Sequence, residues 1–479
     1  MNTHTADSAI INRAIPDLFN TQVQSVQKLK LSSAKERLER LARIYDYLQT
    51  PSGKQGAIEA LQKDFQKPTT EIILSELGVI TQHYKFIRTN LRKWMAVHRV
   101  PTPLPLLGTQ SYQVCESKGV ALIISPWNYP LNLTVIPLMY AIAAGNAVMV
   151  KPSEYSAHTS AFIGQMIARL FPAEEVVVCQ GDVEAASALL QLPFNHIHFT
   201  GNPTVGKIVM QAAAKHLASV TLELGGKSPS VIDESADIAL VALKTAWAKS
   251  LNAGQTCIAP DYLIVHESKY QAFIEAYKKV IEQMFRPGGQ VVEKSDSLAR
   301  IISHRHHARL VGCLQDALSK GANLEVGGEY NEETRFFAPT LLSHVSPDMQ
   351  LMQEEIFGPI LPVMTYRTTE DILQIVARQP KPLTFYIHSQ RQSFIDTLLR
   401  NTSSGGAVIN DYLLGFANPN LPFGGVNNSG IGKSLGFQGF KEFSNEKSVI
   451  HRKFGDFRMF FPPYNDTKSK VIDWLLKNL

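Results

Sequence analysis

Gly119-Val-Ala-Leu-Ile-Ile-Ser-Pro-Trp-Asn-Tyr-Pro130 opens the part of the chain that decides the fold. Val120-Ala-Leu-Ile-Ile124 is an unbroken apolar run, the pattern of a short strand buried on both faces. Residues 134–144 are apolar and fit a helix, with Pro137 near its start, and Ala147-Val-Met-Val150 reads as the next buried strand. Working outward, Val176-Val-Val178, His196-Ile-His-Phe199 and Val220-Thr-Leu-Glu223 repeat the pattern. Strands alternating with helical segments predict a doubly wound α/β sheet. A second set follows the glycines at 225 and 226: Ser230-Val-Ile232, Tyr262-Leu-Ile-Val265 and Leu361-Pro-Val-Met364. The expectation is two α/β units in sequence, with no internal repeat and no low-complexity tract.

Upstream, Ser33-x-x-Glu36 fits a capping box, and Leu38, Leu41, Tyr45 and Leu48 follow at helical spacing. Val100 to Gly108 holds three prolines and reads as a crossing segment. At the far end, Pro462-Pro463 breaks the chain before a short helix whose apolar stripe is Ile472, Leu475, Leu476 and Leu479, with Lys468, Lys470 and Lys477 nearby. That helix can pack on its own body, cap a substrate entrance or touch a membrane surface.

A chain of 479 residues is too long for one core and favours two or three domains. With 44% hydrophobic and 19% charged residues, it has a globular balance. The net charge of +5 is thinly spread, and no Lys/Arg run suggests nucleic acid. Cys115, Cys179, Cys257 and Cys313 lie far apart without C-x-x-C spacing, so neither a metal site nor a disulfide framework is indicated. Met1 to Ile10 lacks the n- and h-regions of a signal peptide, and no apolar run is long enough to span a bilayer. These features point to a cytoplasmic protein.

Five segments carry residues suited to chemistry. Cys257 sits in Asn252-Ala-Gly-Gln-Thr-Cys-Ile-Ala-Pro260, among small and turn-forming residues that let backbone approach a ligand. A lone cysteine is more often a small buried hydrophobe, and a nucleophile needs access and a lowered pKa. Glu223, in Leu222-Glu-Leu-Gly-Gly-Lys-Ser-Pro229, ends a buried strand, where a carboxylate is either salt-bridged or set in a cleft as a general base. Asn128, between Pro126 and Pro130, has an amide able to donate to an oxyanion or to satisfy a turn. Phe199-Thr-Gly-Asn-Pro-Thr-Val-Gly-Lys207 offers a helix N-terminus to a pyrophosphate, although it is neither G-x-G-x-x-G nor a Walker motif. Lys151-Pro-Ser-Glu154 follows a strand directly and suits ribose hydroxyls or a solvated loop equally well.

Taken together, these segments resemble the aldehyde dehydrogenase superfamily. The matches, in the family's order, are Pro126-Trp-Asn128, Lys151-Pro-Ser-Glu154, Phe199-Thr-Gly201, Glu223-Leu-Gly-Gly226, Gly254-Gln-Thr-Cys257, Glu354-Glu-Ile-Phe-Gly-Pro359 and Pro422-Phe-Gly-Gly425. The resemblance covers essentially the whole chain except the last fifteen or so residues. Gly254-Gln-Thr-Cys-Ile-Ala-Pro-Asp-Tyr262 and Leu421-Pro-Phe-Gly-Gly-Val426 are similar to the family-3 branch, that of class 3 and fatty aldehyde dehydrogenases. Two departures stand out: Asn427-Asn-Ser-Gly430 where the branch has Gly-Asn-Ser-Gly, and Gly415 where several relatives have His.

The resemblance implies a fold with a Rossmann-like cofactor domain, an α/β catalytic domain and a small oligomerisation β-extension. It implies cofactor-domain residues 1–95 and 117–223, a catalytic domain at 224–444 whose last part returns toward the cofactor domain, a bridging extension at 96–116 and 445–460, and a C-terminal helix at 461–479. It implies NAD(P)-dependent oxidation of a medium- or long-chain aliphatic or aromatic aldehyde to the acid through a cysteine thiohemiacetal and thioester. By position, Cys257 is the nucleophile, Asn128 and the Cys257 N–H form the oxyanion hole, and Glu223 is the deacylation base. Lys151 and Glu154 hold the adenine ribose, and Gly201 and Gly206 shape the pyrophosphate loop. Trp127, Glu355 and Phe357 complete the cofactor site, while Tyr129, Pro422 and Phe423 wall the substrate pocket. Glu154 favours NAD, with NADP as the alternative. A homodimer pairing through Lys447-Ser-Val-Ile-His-Arg452 is implied, as is a small-molecule aldehyde partner. The competing readings are a CoA- or phosphate-linked reductase on the same fold, against which Glu223 counts, and a non-catalytic relative.

Overall fold

The computed structural model describes residues 4–478; Met1 and Leu479 of the segments considered above lie outside the described residues, as does the Leu476 side chain. Each predicted strand forms. Val120–Ile124 is buried at all five positions because it sits in the middle of a six-stranded sheet. That sheet runs in the order Gly430–Ile431, Ser219–Leu224, His196–Gly201, Val120–Ile124, Ala147–Lys151, Val176–Val178, all parallel except the first pair. The Asn132–Ala144 helix is apolar all round and almost wholly buried, so it belongs to the core. The capping box at Ser33 is present, with Ser33 Oγ accepting from Glu36 N.

A second sheet of seven strands has the order Asn323–Val326, Thr340–Ser343, Ile360–Tyr366, Tyr262–His266, Pro229–Ile232, Thr384–His388, Gly406–Ile409. Only its first pair is antiparallel. In the first sheet the strand order reverses between Val120–Ile124 and His196–Gly201, which leaves a crevice beyond their carboxyl ends. The segments before Tyr262, Ile360 and Thr384, at the amino ends of second-sheet strands, close that crevice from the other side.

A third, three-stranded antiparallel sheet joins His98–Val100, Thr109–Ser117 and Ser444–Arg452. Its nine-residue outer strand, Ser444–Arg452, is mostly exposed and has one unpaired edge. Residues Asp466–Asn478 form the C-terminal helix, on which Ile472 and Leu475 are half-buried. Among the described residues, no helix is long and apolar enough to cross a membrane.

Candidate active site

Between the two large sheets lies a cavity of about 1920 Å³, larger than the few hundred to ~1,000 Å³ typical of a single small-ligand site. Its volume suits a dinucleotide together with a second ligand.

The turn carrying Cys257 is strained. Asn252, Ala253 and Gly254 have φ of 54°, 52° and 71°, three left-handed residues in succession. For a non-glycine residue this conformation costs roughly 1–2 kcal/mol. Gly254 accepts no other residue, because a Cβ there would sit 2.3 Å from the Gly358 carbonyl oxygen. Side chains hold the turn in place. Asn252 Nδ2 donates to the carbonyls of Asn128 at 2.8 Å and Gln255 at 3.2 Å. Gln255 Nε2 donates to the carbonyls of Asn252 and Arg300, and Gln255 Oε1 accepts from Ile302 N at 2.9 Å.

Cys257 lies half-buried on the cavity wall. Burial first, then the carboxylates of Glu355 and Glu223, push its thiol up to about 12; its own N–H and that of Ile258 pull the other way. The protein by itself therefore keeps this sulfur protonated at neutral pH. Asn128 is buried, and its Nδ2 donates to the Gln255 carbonyl at 3.0 Å. An amide nitrogen has two hydrogens, so a second donor remains for a ligand.

Glu223 projects from the end of its strand, beside Gly430 of the antiparallel neighbour. Ser434 Oγ donates to Glu223 Oε1 at 2.6 Å, while Oε2 is buried with no hydrogen-bond partner among the described residues. Burial raises the carboxyl to about 8 against the opposing Ser434 hydrogen bond and the Lys433 charge. Ser434→Ala removes the largest of these opposing effects, so Glu223 is expected to titrate above about 8 in that variant. Carboxyl titration by infrared or ¹³C NMR spectroscopy checks this, and an unmoved titration contradicts it.

The cofactor residues named by resemblance divide between the two sides of the crevice. Lys151 Nζ pairs with Glu154 Oε2 at 2.6 Å on one side. Trp127 and Phe357 meet edge to face at 5.2 Å, and His306 packs on Trp127 at 4.8 Å. Gly201 lines the cavity, and Asn202 caps the Pro203–Ala214 helix through Val205 N at 2.9 Å, so that helix presents its N-terminus to the crevice. Glu355 lies tight against Gly225, where a Cβ would sit 2.0 Å from Oε2. Burial raises Glu355 to about 8, with Asp261 adding to the shift.

The Glu355 loop is anchored from below. Lys227 pairs with Asp261 and donates to the carbonyls of Leu351 at 2.7 Å and Glu354 at 2.9 Å. Asp261 in turn accepts from Ile356 N at 2.9 Å, and Arg309 donates to the Ile356 carbonyl.

Two expected positions fall elsewhere. Gly206 is buried in its helix against Leu224, where a Cβ would meet Leu224 Cδ2 at 2.8 Å, and it does not line the cavity. Its smallness serves helix-on-strand packing. Pro422 is exposed and also outside the lining. Phe423 bridges Ser434 in extended pairing and turns its ring inward onto Phe416 at 5.0 Å, so its neighbour faces out. Tyr129 lines the cavity but spends its hydroxyl on Thr256 Oγ1 at 2.7 Å. Sequence reasoning missed Ser434, His306 and Arg309, whose contacts with the site are long-range; Lys227 and Asp261 were quoted only as parts of motifs.

The lining of the cavity also includes an apolar set, Ile73, Leu74, Ile136, Trp247, Leu414 and Phe416.

Two α/β sheets meeting at a crevice, with a cysteine, a carboxylate and a donor amide on its walls, define an α/β enzyme architecture with its ligand site at the point where the strand order reverses. Residues 2–449 match the model of the aldehyde dehydrogenase family. The chain is 40% identical to the 4,4'-diaponeurosporen-aldehyde dehydrogenase of Staphylococcus aureus over 96% of this chain and 97% of that one. It is 37% identical to mouse aldehyde dehydrogenase family 3 member B1, covering 95% and 97%. Among solved structures, a substrate-bound state of S. aureus AldH superposes with a TM-score of 0.91 at 38% identity, covering 96% of this chain and 99% of that one. The chain belongs to the aldehyde dehydrogenase family, with relatives in family 3. Its activity is the NAD(P)-dependent oxidation of an aldehyde.

Proposed function

We propose that this protein oxidises an apolar aldehyde with NAD, through a thioester on Cys257. The observation that carries the reading is convergence. The Cys257 thiol, the Asn128 amide and the Glu223 carboxylate line one cavity, and Glu223 keeps a buried oxygen without a hydrogen-bond partner among the described residues.

Lys151 and Glu154 would hold the adenine ribose, the capped N-terminus of Pro203–Ala214 the pyrophosphate, and Trp127, Glu355 and Phe357 the nicotinamide end. Bound NAD supplies the hydride acceptor and a positive ring charge that would favour the thiolate. Once its proton has passed to solvent, Cys257 Sγ attacks the aldehyde carbon, forming a C–S bond as the C=O π bond opens to an oxyanion. Asn128 Nδ2 and the Cys257 N–H stabilise that oxyanion; a single such donor is worth on the order of 3 kcal/mol. Loss of hydride from the carbon leaves a thioester. Glu223 then takes a proton from water as its oxygen attacks the acyl carbon, the C–S bond breaks, and the acid departs.

The apolar residues of the cavity lining, Ile73, Leu74, Ile136, Trp247, Leu414 and Phe416, support a medium- or long-chain aliphatic or aromatic substrate. The name of the staphylococcal relative points to the same apolar class. Glu154 and Asp182 both border the crevice and would repel a 2′-phosphate, which supports NAD over NADP. NAD is expected to exceed NADP in kcat/KM by about tenfold or more, and Glu154→Ser to narrow that ratio by relieving charge repulsion. A wild-type preference for NADP would overturn the cofactor reading.

We also read residues 1–95 with 117–223 as the cofactor unit, 224–444 as the catalytic unit, and the three-stranded sheet as the dimer-forming extension. Light scattering tests the dimer. The four free cysteines fit a cytoplasmic location. The activity itself is tested by following reduced nicotinamide with aldehydes from short to long chain, aliphatic and aromatic. Turnover should rise with apolar chain length; a preference for small charged aldehydes would contradict the substrate reading.

A further inference from the structure

We infer that Glu71 is a positioning residue that locks the Cys257 turn against the Asn128 turn and thereby sets the oxyanion hole. The inference rests on the roles proposed above for Cys257 and Asn128.

Glu71 belongs to a short helix, Thr69–Ile72, that runs directly into a π-helical turn, Ile73–Leu77. Such turns are rare and frequently mark functional sites. Glu71 Oε2 accepts from the backbone N–H of Asn252 at 3.0 Å. Asn252 is the first of the three left-handed residues leading to Cys257. Its side chain ties the two turns together, donating to both the Asn128 and the Gln255 carbonyls, and the Gln255 carbonyl in turn receives the Asn128 amide. One carboxylate therefore holds the residue through which the nucleophile and the oxyanion donor are registered.

The same segment grips both flanks of that assembly. Lys67 and Glu76, neither of them exposed, pair at 3.5 Å. Glu76 Oε2 accepts from Asn132 N at 2.7 Å, four residues beyond Asn128. Lys67 Nζ lies 4.1 Å from the centre of the Tyr129 ring, and the Tyr129 hydroxyl meets Thr256 next to Cys257. Thr70, Ile73 and Leu74, interleaved with these groups, line the cavity. The segment that fixes the reacting groups is thus also part of the cavity wall.

Displacing a reacting group by about an ångström can cost on the order of a hundredfold in rate, and this sets the expected effect of losing the Glu71 contact. The test compares Glu71→Ala and Glu71→Gln with wild type in three reactions of the same sulfur. Aldehyde oxidation and hydrolysis of a p-nitrophenyl ester both pass through an oxyanion, whereas alkylation by iodoacetamide does not. In Glu71→Ala, kcat for oxidation and the rate of ester acylation are expected to fall together by about ten- to hundredfold. KM and the alkylation rate should stay within about threefold of wild type. Glu71→Gln, whose amide oxygen still accepts from Asn252 N, should recover most of the loss.

Unchanged rates in Glu71→Ala, no recovery in Glu71→Gln, or alkylation falling in step with oxidation would each overturn the inference. If Glu71→Ala does not fold, Glu71→Asp, whose carboxylate falls one methylene short of Asn252 N, takes its place. It must show the same selective loss, and wild-type oxidation in that variant also overturns the inference. Failure of the underlying roles reads differently: Cys257→Ala would then retain oxidation whatever Glu71 does.

Discussion

Cys257→Ala is expected to lose aldehyde oxidation by a factor on the order of a million, or down to background, because removal of a covalent nucleophile leaves only binding and oxyanion stabilisation. No other thiol can substitute. Cys179 and Cys313 are buried, Cys115 lies in the three-stranded extension, and none of the three lines the cavity. NAD affinity should be unchanged, since the groups proposed to hold the dinucleotide do not depend on the sulfur. Calorimetric titration with NAD beside the steady-state assay separates lost chemistry from a lost fold. Oxidation at even a hundredth of the wild-type rate would rule out a covalent route through this residue.

Glu223→Gln is expected to form the thioester and then stall. Glutamine keeps the shape and still offers an oxygen to Ser434, but it cannot take a proton from water. The first turnover should release about one reduced nicotinamide per site. Later turnovers should slow by roughly 10²–10⁴-fold, the usual contribution of a general base. The pH dependence follows from the raised carboxyl. A base must be ionised to act, so wild-type kcat should rise as pH increases through about 8, where Glu223 loses its proton. That rise should vanish in Glu223→Gln. Stopped-flow absorbance across a pH series measures both the burst and the limb; steady-state turnover equal to wild type would remove Glu223 from the deacylation step.

The parallel strands were legible because both of their faces are buried, which makes each an apolar run without alternation. Val120–Ile124 and Val176–Val178 form with the predicted bounds, and the other runs extend by one to three residues. The helix at residues 134–144 starts two residues earlier, at Asn132, and accommodates Pro137 within its apolar body. Residues in short contiguous motifs, such as Lys151 with Glu154, were legible by resemblance because spacing alone brings them together.

Contacts across the chain were not legible. Ser434 and Glu223 are 211 residues apart, and Glu71 and Asn252 are 181 apart, so no local pattern announces either pair. Gly206 and Pro422 show the converse. Each sits inside a recognisable motif, yet helix packing claims one and strand alternation turns the other to solvent. The apolar stripe of the C-terminal helix ends half-buried at Ile472 and Leu475.

The central claim, a thioester on Cys257, is tested most directly by mass spectrometry of Glu223→Gln, quenched in acid seconds after mixing with NAD and a medium-chain aldehyde. The account predicts a protein mass raised by one acyl group, with the adduct located at Cys257 by peptide mapping. An unmodified protein after a full equivalent of reduced nicotinamide has formed, or an acyl group on any other residue, would contradict it.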